Sequence, residues 1–150
     1  MLAQTVNRGR IIMGRLDRGA DLLASLEQIC FDENIRLGEI RAIGAVSRAR
    51  VGYYRQAEQA YSYIEIPGAH EIIGLLGNIS LRDGRPFVHA HISLMDEEGK
   101  MVGGHLAQGT IVFACEFTIT ELISAPSDDS FARRHDRNTG LYLWSDGGKR

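Results

Sequence analysis

The sequence predicts an α+β fold in one domain: a mainly antiparallel sheet of about six to eight strands packed with one long helix. Three observations carry this. Only one segment repeats apolar residues at helical spacing, and most of the rest alternates or is rich in β-formers. Glycine, at 17 of 150 residues, far outnumbers proline, at 3, which suits turns and tight connections rather than extended linkers. The length suits a single core. Residues 1–150 therefore read as one domain, with a core over about 8–122 and a loop-rich tail over 123–150 that docks on the body.

The elements follow in order. RGRIIMGRL (8–16) is a short strand. RGADLLASLEQICFDENI (18–35) holds the helix, spanning about 19–33, because Leu22, Leu23, Leu26, Ile29 and Cys30 share one face. Asp21 falls in its first turn, where the helix dipole favours an anion, and Asn34 is a stop signal. Residues 38–54 form one long strand in which Gly44 and Gly52 permit bulges or bends. YSYIEI (61–66) alternates, PGAH turns the chain, and EIIGLLGNIS (71–80) is a largely apolar strand. RDG (82–84) signals a hairpin. Two strands then flank DEEGK, and residues 110–122 close the regular part. In the tail, LYLW (141–144) is apolar enough to pack on the body.

Bulk properties narrow the function classes. Seventeen Lys and Arg against nineteen Asp and Glu leave a formal charge of −2, which does not support duplex DNA binding through the folded surface. No apolar run approaches the roughly 20 residues of a membrane span, and the N-terminus carries no signal-like apolar segment, so the expected location is cytoplasmic. Cys30 and Cys115 fall on apolar faces and read as buried reduced thiols.

The chemistry concentrates in PFVHAHISLMDEEGKMVGGHLAQG (86–109), which holds three of the five histidines. Strand alternation puts Val88, Ala90, Ile92 and Leu94 on the core face, and Phe87, His89, His91, Ser93 and Met95 on the other. If 96–100 is the hairpin loop, Met95 pairs with Met101 and His91 lies opposite His105. All three imidazoles then converge, whereas a loop one residue shorter turns His105 away. Three neutral imidazoles suit Zn²⁺ or a similar metal and leave a fourth position for water or a small-molecule ligand. By the residues alone, the cluster is either such a site or a set of histidines on a sheet face.

Gly103 and Gly104 are read as making room for that ligand. In the 110–120 strand, Ile111, Phe113, Cys115, Phe117 and Ile119 are assigned one face, and Thr110, Val112, Ala114, Glu116, Thr118 and Thr120 the other. Glu116 is the one carboxylate there, and a candidate catalytic acid/base, fourth ligand or partner to a histidine. His70 reads as a loop histidine, and His135 within ARRHDR as part of a solvated charge cluster.

The segments IRAIGAVSRARVGYY (40–54), EIIGLLGNISLRDGRPFVHAHISL (71–94), GGHLAQGTI (103–111) and TEL (120–122) resemble the PPC or PCC domain, "plants and prokaryotes conserved". The likeness covers about residues 8–122, and RHDRNTGLYLW is similar to the tail of bacterial members. It implies a compact α+β fold, a homotrimer, and the provisional DNA-binding or regulatory role given to bacterial members because plant members carry AT-hooks. This chain has no AT-hook; Gly84-Arg85-Pro86 follows Asp83 in a turn. The resemblance also implies a zinc ion on His89, His91 and His105. The fold is similar to acetolactate decarboxylase and to a zinc-dependent ester hydrolase, so the alternative expectation is a zinc-dependent lyase or hydrolase acting on a small oxo-acid or ester.

Overall fold

The computed structural model describes residues 2–124 and 131–145. Its elements are β1 (Asn7–Leu16), α1 (Leu22–Asp32), β2 (Gly38–Arg55), β3 (Ala60–Ile66), β4 (His70–Arg82), β5 (Arg85–Met95), β6 (Met101–Leu106), β7 (Ile111–Ile123), β8 (Arg133–Asp136) and β9 (Leu141–Trp144). The expected α+β character and mainly antiparallel sheet are present. The nine strands among the described residues exceed the six to eight expected, because residues read as tail form the β8–β9 hairpin.

The expected long helix is short. α1 has eleven residues, with Asp21 as its N-cap rather than in its first turn. Asp21 accepts a hydrogen bond from the Ala24 N–H at 3.0 Å, satisfying one of the donors a helix start leaves open. Its other carboxylate oxygen accepts from the Gly109 N–H at 2.6 Å, tying the helix start to the β6–β7 connection. At the far end Asn34 adopts φ 54°, a left-handed conformation that stops the helix. All five residues of the apolar stripe lie between these two signals. Residues 19 and 20 precede the cap, and Glu33 closes the helix as its C-cap, its N–H donating to the Ile29 carbonyl at 3.0 Å.

The long β2 organises the sheet. Its first part, from Gly38 to Val46, runs between β7 and β4. Its last part, from Ala49 to Arg55, pairs β3, while Val51 and Gly52 also pair β6. Since β4 pairs β5 and β5 pairs β6, the set β2–β4–β5–β6 closes on itself. Two bulges accommodate the change of direction. Ala45 pairs Ala114 while Val46 pairs Val112, and Arg48 then pairs Ile111, so Phe113 and Ser47 are left over.

That irregularity corrects the expected faces of β7. Val112 is buried and Phe113 is 49% exposed, the reverse of the strict alternation over 110–120. On β5 the alternation holds without interruption. Val88, Ala90, Ile92 and Leu94 are buried, and they pack in one core with Leu22, Leu26 and Cys30 of α1 and with Ile40, Leu75, Ile79 and Ile119. Cys30 and Cys115 are both buried free thiols, and burial pushes them up to about 12 and about 11.

Candidate metal centre

Each of the three histidines is placed by backbone pairing. The turn after β5 is closed by Asp96, whose Oδ1 accepts from the Glu98 N–H at 3.0 Å and the Lys100 N–H at 2.8 Å. This fixes the loop length and hence the register, with Met95 opposite Met101 and His91 opposite His105. His89 shares the face of His91 and lies opposite Asn78 of β4. The ring centroids are 5.6 Å apart for His89–His91, 5.0 Å for His89–His105 and 5.4 Å for His91–His105. One ring nitrogen from each lies within 4.8 Å of the others.

The backbone around His105 is tightly constrained. A Cβ on Gly103 would stand 2.2 Å from the Ile92 carbonyl oxygen, and one on Gly104 2.9 Å from that of Gly52. These glycines therefore let β6 fit between β5 and β2, and that, rather than ligand access, is their role. Gly52 is opposite His105 on one side and Tyr63 on the other. Its missing side chain leaves space for the Tyr61 ring, which rests on His105 with centroids 4.9 Å apart.

The histidines open into a cavity of about 490 Å³ that Tyr54, Tyr61, Phe87, Arg82, Arg133 and Tyr142 also line. Arg133 comes from the segment read as a solvated charge cluster, yet it is 7% exposed. Its Nε donates to Ser80 Oγ at 2.9 Å, Nη1 to the Tyr142 carbonyl at 3.0 Å and Nη2 to Asn78 Oδ1 at 2.6 Å. No spacing rule links it to the histidines; only the Arg82–Arg133 strand pairing brings it there. Trp144 adds a bond from its indole N–H to Ser80 Oγ at 3.2 Å.

Glu116 is not brought to this cluster. It faces Ile43 on β2 and Arg15 on β1, whereas His105 meets β2 at Gly52, about 30 Å further along the extended strand. Exposed and outside the cavity, it is not positioned to move a proton at the histidines. His70 lies at the start of β4 with Nδ1 3.2 Å from the Gly68 carbonyl, and His135 packs on Tyr142 of β9 with centroids 5.5 Å apart.

The electrostatics hold the cluster ready to coordinate. Burial, then the Arg133 charge and the neighbouring imidazoles, push His89 down to about 4. Burial, His91 and Arg133 do the same to His105, also to about 4. Both are neutral at pH 7, the form a metal needs. Moreover, His105 Nδ1 is buried with no hydrogen-bond partner among the described residues, a cost that a bound cation or its ligand shell would remove.

A pH dependence follows. From pH 6.5 down to about 4 the unfolded chain binds protons at these two histidines and the folded chain does not. Metal-free protein should therefore lose stability as pH falls through that window. Thermal unfolding in chelator across pH 7 to 4 measures it, and a His89→Gln/His105→Gln double variant should show a flatter profile than the parent.

A sequence profile described as the Plants and Prokaryotes Conserved (PCC) domain matches residues 3–123. The chain belongs to the PCC-domain family. The PCC fold seen here is similar to a plant- and prokaryote-conserved protein of Pyrococcus horikoshii, with 36% identity, a TM-score of 0.89 and 97% of each chain covered. It is also similar to a metal-containing protein of Archaeoglobus fulgidus, with 38% identity, a TM-score of 0.87, and 96% of this chain and 99% of that one covered. A third similar structure, from Ralstonia eutropha JMP134, is provisionally named a DNA-binding protein; it is 27% identical with a TM-score of 0.76, covering 87% and 88%. Among curated proteins, the PCC region is 32% identical over 133 residues to the bifunctional protein GlmU of Synechococcus sp. strain JA-3-3Ab. The match takes in 87% of this chain but only 20% of that protein's length.

Proposed function

We propose that this PCC-domain protein holds a zinc ion on His89, His91 and His105 and binds a small molecule beside it, as a homotrimer. The observation that carries the metal reading is the convergence of three imidazole nitrogens within 4.8 Å on a cavity wall; the His105 ring also keeps a buried Nδ1 with no partner among the described residues. Tetrahedral zinc needs ligand nitrogens about 3.3 Å apart, so modest ring rotation closes the site. Bound there, zinc would keep a fourth position open and supply polarisation of a carbonyl or activation of water. The Archaeoglobus relative, named as metal-containing, supports this reading.

Elemental analysis of protein purified without added metal tests it. One zinc per chain is expected, and its absence after zinc titration would remove the proposal. For the trimer, support comes from an apolar groove beside His91, lined by Ile73, Leu76 and Met101, which are 50%, 66% and 51% exposed. Light scattering should give three chains, and Leu76→Glu/Met101→Glu should give monomers. A mass of one chain at all concentrations would end that part.

The chemistry such a site supports is a zinc-dependent lyase or hydrolase step on a small oxo-acid or ester. Glu116 lies outside this chain's own cavity and is assigned no role in that step. A second reading, DNA binding, is favoured by the Ralstonia relative's name and opposed by the charge of −2. Mobility shifts across salt separate the two: binding that weakens steeply with salt supports the DNA reading, and none at low salt ends it. No described helix is long and apolar enough to cross a membrane.

A further inference from the structure

Among the described residues, no carboxylate lines the cavity to balance its two guanidinium groups, those of Arg82 and Arg133. An almost fully buried guanidinium is costly unless an anion or a full set of acceptors meets it. Arg133 has three acceptors, all neutral: a hydroxyl, an amide oxygen and a backbone carbonyl. Among the described residues it forms no ion pair. Arg82, its strand partner, has its Cζ 3.6 Å from the Tyr142 ring centre and reaches only the exposed Asp83, at 3.8 Å. On a chain with net charge −2, this pocket is locally cationic.

The position of Arg133 relative to the histidines is set by Asn78. That residue lies directly opposite His89 in the β4–β5 register, and its side-chain oxygen holds Arg133 Nη2. The guanidinium therefore sits beside the imidazole cluster. A guanidinium has five N–H donors, and the three bonds leave one N–H on each terminal nitrogen. When those two N–H groups point side by side across the guanidinium, they match the two oxygens of a carboxylate. The aromatic surroundings, with Phe87 5.2 Å and Trp144 5.9 Å from the Arg133 Cζ, keep the local dielectric low and strengthen such a pair.

We propose that Arg133 is the anion-binding residue of this cavity, and that the small molecule taken there carries a carboxylate on Arg133 with a second oxygen directed at the three histidines. The second contact rests on the metal reading above; the first does not. Arg82 contributes long-range attraction. Phosphate would leave its excess charge and further oxygens unmatched by the single buried fork, so carboxylate is the assigned chemistry.

Calorimetric titration of zinc-loaded protein tests this with glycolate, 3-hydroxypropanoate and 4-hydroxybutanoate, which span a range of carboxylate-to-hydroxyl spacing, and with their amides. One or more acids should bind at least 30-fold more tightly than the matching amide. Arg133→Gln should erase that preference while zinc content stays at the parental level. If Arg133→Gln fails to fold, Arg133→Lys decides: it keeps the charge but loses the fork, and should bind the acid at least 10-fold more weakly, with the acid-to-amide ratio read on zinc-free protein as well. Equal affinity for acid and amide, no binding of any acid, or tighter binding of inorganic phosphate would overturn the proposal. The two readings fail separately. Full zinc occupancy with no acid preference sinks the carboxylate seat alone. Arg133-dependent acid binding by protein that never takes up zinc sinks the metal reading alone.

Discussion

A His105→Ala variant should remain folded yet lose at least 100-fold in zinc affinity. Removing one of three imidazoles leaves only two nitrogens on one strand, and even changes to residues that merely orient a ligand cost about 10- to 100-fold in affinity. The fold should survive, because His105 faces the cavity rather than the core; its loss removes a ring contact with Tyr61 worth about 1 kcal/mol. Dialysis against a buffered zinc series, read by elemental analysis, checks the affinity, and circular dichroism checks the fold. His70→Ala and His135→Ala serve as controls and should retain parental zinc, since neither belongs to the cluster. If the His105 variant keeps its zinc, the metal lies elsewhere.

A Gly103→Ala variant should lose about 3 kcal/mol of stability and its zinc with it. The added methyl would lie 2.2 Å from the Ile92 carbonyl oxygen, so β6 must move away from β5 and break ladder bonds beside the His91–His105 pair. For a domain of this size that loss lowers the melting temperature by roughly 10 °C. Gly74→Ala provides the contrast. It also lies in a strand, beside the irregularity after Ile72, but its φ is not positive and nothing lies within 4 Å of an added Cβ, so its change should stay within about 0.5 kcal/mol. Differential scanning calorimetry compares the three proteins. Equal melting temperatures would mean that β6 is not clamped as described.

The histidine convergence was legible because it depends on two local quantities, the period of a strand and the length of one loop. Neither needs knowledge of distant residues. Arg133 was not legible, since it reaches the cavity from some fifty residues beyond β4 through one strand pairing, and ARRHDR in isolation has the composition of a solvated turn. Glu116 lies outside the cavity for the opposite reason. Its face was argued from alternation along β7, but the site is reached across the sheet, and β2 is long enough to keep its two ends far apart. Phe113 shows the same limit within one strand: a bulge shifts the alternation by one residue, and no residue type there announces it. The helix is shorter than its apolar stripe with its flanks implies, because Asp21 caps it at one end and the left-handed Asn34 ends it at the other.

The shared use of β2 has a consequence for how the chain reaches its native state. That strand has four different neighbours, and its pairing with β7 joins Gly38 to Glu121. Hairpins such as β4–β5 can zip early from local contacts, but β2 acquires its full set of partners only after most of the domain has been synthesised. Folding should accordingly be slow, on the order of milliseconds to seconds, with a rate governed by distant pairing rather than by α1. Amide protons in the centre of β2 should exchange only through global unfolding, while those of β8 and β9, which share a single backbone pairing with β4, exchange through local opening.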